Sequence, residues 1–187
     1  MRRRIYRGPK IHSFKQTVEL PNVTVTAGTT AFFAYSFKGT DLPQQNFFAM
    51  FDSYRIMAVK LTFYPEFNIY GPSVSNAPVL YTVADKDNAN VPTSVNQLDQ
   101  YEICKRSFLV KPATRYIKPQ ALSTSLVTTS AAFGNMSVSR KTWMDSASTS
   151  IQYFGIRGAI TASNASQLSA QLVRVTAVYY MQFKSVI

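Results

Sequence analysis

The sequence is poor in the side chains that most enzymes use. It has one histidine, one cysteine and nine carboxylates in 187 residues. A single cysteine excludes a disulfide framework within the chain and a cysteine-rich metal site. No glycine-rich phosphate loop, paired carboxylates or metal-ligand cluster stands out, so the sequence predicts no catalytic residue, no metal site and no cofactor. We therefore expect a protein that is not an enzyme.

Long hydrophobic runs are also missing. No stretch approaches the ~18 apolar residues of a membrane-spanning helix. The N-terminal arginines are not followed by the apolar segment of a secretory signal. The sequence therefore predicts that the protein does not insert into a membrane. It also predicts synthesis in an intracellular, reducing compartment.

Positive charge is abundant and unevenly placed. Twenty Lys and Arg residues stand against nine Asp and Glu, a net charge of +11. The first fifteen residues hold no acid and six of these cations, namely Arg2, Arg3, Arg4, Arg7, Lys10 and Lys15. Such a run repels itself and has little to bury, and a phosphate backbone is its natural counter-charge. We interpret residues 1–15 as a short basic arm that binds nucleic acid; a merely solvated tail is the alternative.

Residues 16–187 have the length and apolar content of one domain, and their pattern is that of β-strands. The run 172–183 alternates most clearly, with one apolar face. That face consists of Val173, Val175, Ala177, Tyr179, Met181 and Phe183. In the run 54–65, Met57, Val59, Leu61 and Phe63 are expected on one face and Lys60 on the other.

Further strands and turns complete the predicted architecture. The other strands are expected at 13–20, 31–37, 78–84, 103–110, 114–121 and 150–160. Two helical turns are expected, at 41–52 capped by Asp41 and at 94–100 capped by Ser94. Long loops are expected at 66–77, 85–100 and 123–149. About eight strands with such loops predict an all-β, eight-stranded antiparallel jelly-roll sandwich.

Individual polar residues offer few alternatives to a structural role. We expect Cys104 to be a small buried hydrophobe, because it lies inside a predicted strand with no general base nearby in sequence. Asp85 and Asp87 lack the glycine and terminal glutamate of a calcium loop, so they indicate a turn held by side-chain hydrogen bonds. Lys60 and Arg174 project from the polar faces of the two strongest strands and would form a small cationic patch if these strands are neighbours.

Four segments carry motifs of one known family. Residues 51–65 are similar to its F-D-x-Y-R-I-x-x-V-K-x-x-F-x-P strand, and residues 115–119 to its R-Y-F-x-P-K-P strand. Trp143 followed by the Tyr-Phe-Gly of 153–155 looks like its tryptophan and its late glycine-containing strand. The run 173–183 is similar to its terminal R-V-T-x-Y-x-Q-F strand. Together these segments resemble the capsid proteins of circovirus-like viruses, and the likeness covers about residues 50–187.

The resemblance implies a structural function. Circovirus-like capsid proteins belong to viruses with circular single-stranded DNA that encode their own replication initiator (CRESS-DNA viruses). The resemblance implies a jelly-roll subunit, and it implies that about sixty copies form a T=1 icosahedral shell. The expected location is therefore the virion. The resemblance also implies an interior basic arm that binds packaged DNA and serves in nuclear import, with import machinery and a cell-surface receptor as host partners. In that fold the strands 54–65 and 172–183 are neighbours.

Two other functions share part of this pattern. A coat protein of a small RNA virus or satellite virus has the same fold logic and the same arm. A host β-domain that binds single-stranded nucleic acid has the same charge but would be monomeric or dimeric. The nucleic-acid-binding residues that we predict are Arg2, Arg3, Arg4, Arg7, Lys10, Lys15, Lys60 and Arg174.

Overall fold

The computed structural model describes residues 10–26, 28–66, 78–127, 132–137, 142–161 and 170–185. In these parts of the chain the strands are β1 (Ile11–Val25), β2 (Ala31–Phe37), β3 (Ser53–Pro65), β4 (Val79–Ala84), β5 (Lys105–Phe108), β6 (Ala113–Ile117), β7 (Gln120–Val127), β8 (Ala132–Ser137), β9 (Met144–Asp145), β10 (Tyr153–Ile160) and β11 (Gln171–Lys184). A 3₁₀ turn (Gly39–Asp41) and two short helices, α1 (Asn46–Met50) and α2 (Val95–Asp99), lie between them.

The strands form two antiparallel sheets. Sheet A has the order β1-β11-β3-β6, with β9 beside the start of β3. Sheet B is centred on β10, which pairs with β2 along one edge and with β4 and then β7 along the other, while β5 pairs with β4 and β8 with β7. Four strands from each sheet, β1-β11-β3-β6 and β2-β10-β4-β5, make the eight-stranded jelly roll that the sequence predicts. The predicted loop 123–149 is wrong in part, since it contains most of β7 together with β8 and β9.

The core lies between the two sheets, and β11 is its centre. All six residues of its predicted apolar face are at most 1% exposed. Phe183 lies at one end of the core in a cluster of rings that includes Phe14, Phe48 and Phe51. Each ring pair adds to the free energy of simple burial by roughly 0.5–1.5 kcal/mol. The alternation predicted for 172–183 is therefore confirmed.

In β3 the predicted alternation is correct only for the second half of the strand. Val59, Leu61 and Phe63 are fully buried, but Met57 is only partly buried and Ile56 takes the core position. The reason is a bulge: Ala58 pairs with Tyr180 and Ile56 with Met181, so Met57 is an extra residue without a partner on β11. One extra residue moves every side chain before it to the opposite face.

The predicted strand 114–121 is in fact two strands in different sheets. β6 ends at Ile117 in sheet A, and β7 begins at Gln120 and pairs with β10 in sheet B. Pro119 lies between them and cannot donate a hydrogen bond to a ladder, so the pairing breaks there. This break carries the chain from one sheet to the other.

The segment that contains the predicted loop 85–100 and its helical turn covers the outer face of sheet B. Residues 85–104 include α2, and Leu98 of α2 is 1% exposed against Val83 and Ala159 of the sheet. The predicted cap is confirmed, because the Ser94 hydroxyl accepts a hydrogen bond of 3.3 Å from the Gln97 N–H. The outer face of sheet B therefore has its own small core.

The other predicted helical turn differs in its cap. α1 begins after Gln45, whereas the Asp41 carboxylate accepts a hydrogen bond of 2.7 Å from the Lys38 N–H and closes the preceding 3₁₀ turn. Asp41 belongs to the 3₁₀ turn and lies five residues before α1, and the Gln45 side chain donates hydrogen bonds to the carbonyls of Gly39 and Leu42.

The predicted boundary between arm and domain, at residue 15, is too late. β1 begins at Ile11 and pairs with β11 from Lys184 onward. His12 and Phe14 point inward and contact the Phe51 ring, with centroids 5.2 and 5.8 Å away. This packing places residues 11–15 in sheet A, and the nucleic-acid arm stays a prediction for the residues before them.

Candidate nucleic-acid interface

The outer face of sheet A collects side chains from four strands. Residues directly opposite each other in antiparallel strands point to the same face. Lys15 of β1 is opposite Tyr180 of β11, and Lys60 of β3 is opposite Tyr116 of β6. Lys15 and Tyr116 are exposed, and Lys60 and Tyr180 are half-buried. Two cations and two phenol rings therefore lie in adjacent rows of this face.

Lys15 and Lys60 have no carboxylate partner in the part of the chain that the structure describes. The four ion pairs within 4.0 Å there all use arginines, so this holds for the described lysines in general. Both ammonium groups are consequently available to an anion that approaches the sheet.

Arg174 shares this face but has partners of its own. Its guanidinium lies 3.0 Å from the Glu66 carboxylate, 4.0 Å from that of Glu19, and 5.5 Å from the centre of the Tyr64 ring. Lys60 is opposite Val178, four residues along β11 from Arg174, which is about 13 Å. The two residues predicted to form one patch thus lie on one face, but their charges are separate.

A second cationic group lies at the end of sheet A where β1 begins. The Arg55 guanidinium stacks 4.2 Å from the centre of the Trp143 ring and donates two hydrogen bonds, of 3.0 and 2.7 Å, to the Gln182 side-chain oxygen. The Lys184 ammonium is 5.3 Å from the same ring. Sequence reasoning missed Arg55 and Lys184. The alternation that places Arg174 on the outer face also places Lys184 there. The face of Arg55 could not be predicted, because it depends on the bulge at Met57.

The basic arm joins the sheet at this same end. Arg2, Arg3, Arg4 and Arg7 lie outside the described residues, whereas Lys10 is exposed and directly precedes β1. Ile11, the first residue of β1, pairs with Lys184. The arm is therefore attached beside the Arg55 and Lys184 group.

Cys104 and His12, the two side chains considered for catalysis, are packed against other side chains. Cys104 is half-buried against the small core of sheet B, and its thiol lies 3.8 Å from the Asp99 carboxylate. Burial first, and then the Asp99 charge, raise the pKa of the thiol. A thiol with a raised pKa is a poor nucleophile at neutral pH. His12 packs on Phe51, as described above.

The acidic turn is built as predicted and has a partner that the sequence did not reveal. The Asp85 carboxylate accepts hydrogen bonds from the backbone N–H groups of Asp87 and Asn88, at 3.3 and 3.2 Å. It also forms a buried ion pair of 2.8 Å with Arg157, which lies 72 residues away in sequence. Burial alone would raise the pKa of Asp85, but hydrogen bonds from the turn and Arg157 outweigh it and lower that pKa.

The described residues offer neither a metal site nor a membrane-spanning helix. No group of three or more His, Cys, Asp or Glu side chains there could hold a metal ion. None of the helices in the same ranges has the length and apolar character needed to cross a bilayer.

Comparison with known proteins identifies the fold and the family. The structure is similar to the 60-mer BFDV capsid protein, with a TM-score of 0.74 and 17% identity over 96% of each chain. It is also similar to the decameric BFDV capsid protein, with a TM-score of 0.66 and 18% identity over 93% of this chain and 99% of that one. The coat of Macrobrachium rosenbergii nodavirus follows with a TM-score of 0.58 and 7% identity over 96% and 95% of the two chains. A search of curated proteins finds no match.

At these identities the structural matches show the jelly-roll fold alone, and the sequence family supplies the identity. The circovirus capsid protein model matches residues 1–187, which is the whole chain. The motifs at 51–65 and 173–183 lie on β3 and β11, the paired central strands of sheet A. The chain therefore belongs to the circovirus capsid protein family and is a structural protein of the virion, not an enzyme.

Proposed function

We propose that about sixty copies of this chain form a closed T=1 shell that packages single-stranded DNA. The proposal takes the shell size from the fold it shares with the BFDV capsid protein, which assembles as a 60-mer. It assigns DNA binding to the basic arm, Arg2 to Lys10, together with Lys15, Lys60 and Arg174. A run rich in arginine and lysine is also typical of nuclear import signals, so the proposal places assembly in the host nucleus.

The observation that carries the proposal is where the arm joins the body. The five cations before β1 are attached to sheet A at Ile11, beside Lys184 and Arg55. Lys15 follows on the same face with no carboxylate partner among the described residues. The cations of the arm therefore join the body next to cations of sheet A, which favours binding of one polyanion by both.

The expected mechanism is electrostatic and independent of base sequence. Each phosphate that a cation neutralises releases condensed counterions, which lowers the free energy of binding at low salt. Contacts of this kind position the nucleic acid without reading its bases. Arg174 is expected to contribute less than Lys60, because Glu66 and Glu19 already compensate its charge.

The test is to remove charge from the arm while leaving β1 intact. Replacing Arg2, Arg3 and Arg4 with Gln removes three cations that precede the first strand at Ile11. We expect purified particles of this variant to contain much less nucleic acid, seen as a lower ratio of absorbance at 260 and 280 nm. For a single strand, the slope of log K against log salt should fall by about 0.7 for each lost contact, or about 2 in all.

A matched control removes three cations elsewhere. Lys86, Lys105 and Lys111 are exposed; Lys105 begins β5 of sheet B, and the other two follow β4 and β5. Their replacement with Gln should leave the nucleic-acid content unchanged. Equal nucleic-acid content in the arm variant and the parent particle would refute the role of the arm. Digestion of the packaged polymer by RNase instead of DNase would favour the RNA-virus alternative.

The shell itself is tested by size. Negative-stain microscopy should show closed particles on the order of 20 nm across, an estimate from sixty compact domains of this length. A chain that stays monomeric or dimeric at high concentration would contradict the shell and favour the host single-strand-binding alternative.

A further inference from the structure

We propose that the outer face of sheet A holds unpaired nucleobases by stacking on Tyr116 and Tyr180, with Lys15 and Lys60 on the flanking phosphates. This inference rests on the proposed function, since it names the part of the nucleic acid that the face recognises. It adds a base-dependent contact to the charge of the arm. The ligand is a single strand, because only unpaired bases offer their flat faces to a protein ring.

The two rings form one aromatic surface. The centroids of Tyr116 and Tyr180 are 6.1 Å apart, with their planes inclined at 55°. They lie on β6 and β11, on either side of β3, where Ala58 is opposite Tyr180. Ala58 has a small side chain and is 2% exposed, so it leaves room for the two rings to meet above it.

Tyr116 is an exposed aromatic ring on the edge of sheet A. It is 59% exposed on β6, the strand that ends the order β1-β11-β3-β6. Phe108 of β5 is 68% exposed, so what distinguishes Tyr116 is its contact with the Tyr180 ring and its position opposite Lys60. An exposed ring next to a cation is typical of surfaces that bind single strands.

Tyr180 borders a groove that the bulge creates. The groove has a volume of about 320 Å³ and is lined by Lys15, Met57, Tyr180 and Gln182 among others. Met57 is the extra residue of the bulge and stands on the groove side of β3. A flat base entering the groove would contact the Tyr180 ring and the polarisable Met57 side chain, and it would meet the Gln182 amide.

The spacing of the lysines fits a strand that crosses the face. Lys15 and Lys60 lie in adjacent rows and two strands apart, because β11 separates β1 from β3. Row and strand spacings place their Cα atoms about 12 Å apart. Across the sheet the order is Lys15 on β1, Tyr180 on β11, Lys60 on β3 and Tyr116 on β6, so cations and rings alternate. A single strand that crosses the face would therefore meet phosphate contacts and base contacts in turn.

The test separates stacking from charge. The unassembled full-length protein is titrated with a fluorescent twenty-nucleotide oligothymidine and with an abasic oligomer of the same charge. We expect the parent protein to bind the thymidine strand more tightly, by about fivefold to a hundredfold for each stacked base. Tyr116→Leu should lose most of this preference, and the variant with Tyr180→Leu as well should lose the rest.

Two variants control for structure. Tyr116→Phe keeps the ring and should keep the preference. Tyr101→Leu changes an exposed tyrosine of the segment over sheet B and should have no effect. Since Tyr180 lies on a central strand, its Leu variant could unfold; photocrosslinking of a 5-iodouracil oligomer to the parent protein then decides, with adducts expected in residues 113–117 or 172–184.

The outcomes distinguish this inference from the proposed function. Equal affinity for the thymidine and abasic strands, or crosslinks confined to the arm, would overturn the stacking site and leave electrostatic packaging intact. No binding of either strand at low salt would overturn the proposed function itself. A Tyr116→Leu variant that keeps its base preference but fails to form shells would assign Tyr116 to a contact between subunits, and would overturn the stacking site.

Discussion

The buried ion pair between Asp85 and Arg157 makes a quantitative prediction about stability. The Asp85 and Arg157 side chains are 3% and 10% exposed and 2.8 Å apart. Removing one partner of such a pair leaves the other charge buried without compensation, which costs about 3–5 kcal/mol. Asp85→Asn keeps an oxygen for the backbone N–H groups of the turn, but it turns an amide toward the Arg157 donors. We therefore expect Asp85→Asn to destabilise the protein by an amount in that range.

Urea unfolding of the unassembled protein, followed by the fluorescence of Trp143, measures this cost. With a slope of about 2 kcal/mol per molar urea, the midpoint should fall by roughly 1.5–2.5 M. The surface pair of Arg106 and Asp99 is a matched control, since it has a similar distance of 2.9 Å but exposures of 60% and 31%. Asp99→Asn should cost less than about 1 kcal/mol. A midpoint for Asp85→Asn within 0.5 M (roughly 1 kcal/mol) of the parent would refute the reasoning.

The same pair predicts how stability depends on pH. The pKa of Asp85 is lowered in the folded protein, so its stabilising contribution is fully present above the ordinary carboxyl pKa and is lost as the pH falls through the lowered value. In Arg157→Met the hydrogen bond and charge of Arg157 are lost, so the pKa of Asp85 should be higher than in the parent, with only the hydrogen bonds of the turn opposing the effect of burial. The difference in free energy of unfolding between parent and variant should therefore be largest near neutral pH and shrink below about pH 4. A difference independent of pH would contradict this assignment.

Two further predictions concern close packing and thiol chemistry. Gly158→Ala should prevent soluble expression or cost at least about 3 kcal/mol in urea unfolding, because its Cβ would lie 2.5 Å from the Tyr81 carbonyl oxygen and overlap the Phe33 ring. Cys104 should react with iodoacetamide at pH 8 more slowly in the folded protein than in urea, because burial and Asp99 raise its thiol pKa. Equal rates in the two states would refute that account.

Local pattern was sufficient to predict the sandwich. The alternation of 172–183 identified the buried face of β11, because successive side chains of a regular strand point to opposite faces of the sheet. The same rule failed in β3 at Met57, since a bulge changes the face of every residue before it and depends on the partner strand. Pro119 indicates a break in strand pairing from the sequence alone. The change of sheet at this point could not be predicted, because it depends on which distant strand pairs with residues 120–127.

The sequence predicted the face of a candidate site residue only where the alternation within its own strand determines that face. Lys60 and Arg174 were placed on one face correctly, because their strands are neighbours. Their separation depends on the register between β3 and β11, and the compensation of Arg174 depends on Glu66, which lies just beyond the end of β3. The stack of Arg55 on Trp143 and the pair of Asp85 with Arg157 join residues 88 and 72 positions apart, and no local pattern indicates such contacts.

The two outer faces of the sandwich differ in a way that bears on function. Residues 85–104 cover sheet B with α2 and a small core, and the Asp85 and Arg157 charges cancel beneath them. On sheet A, Lys15 and Tyr116 remain exposed, and the arm begins at the edge of the same sheet.

Outside the first fifteen residues the chain has 14 cations and 9 acids, a net charge of only +5. Since so small an excess attracts a polyanion weakly when it is spread evenly, its effect depends on where cations lie together, and on sheet A Lys15 lies near Lys184 and Arg55 at the end where the arm begins. A subunit that binds a single strand by charge should therefore turn sheet A toward it. Exchanging Lys60 for Glu should then weaken binding more than the same exchange at Lys105 on sheet B.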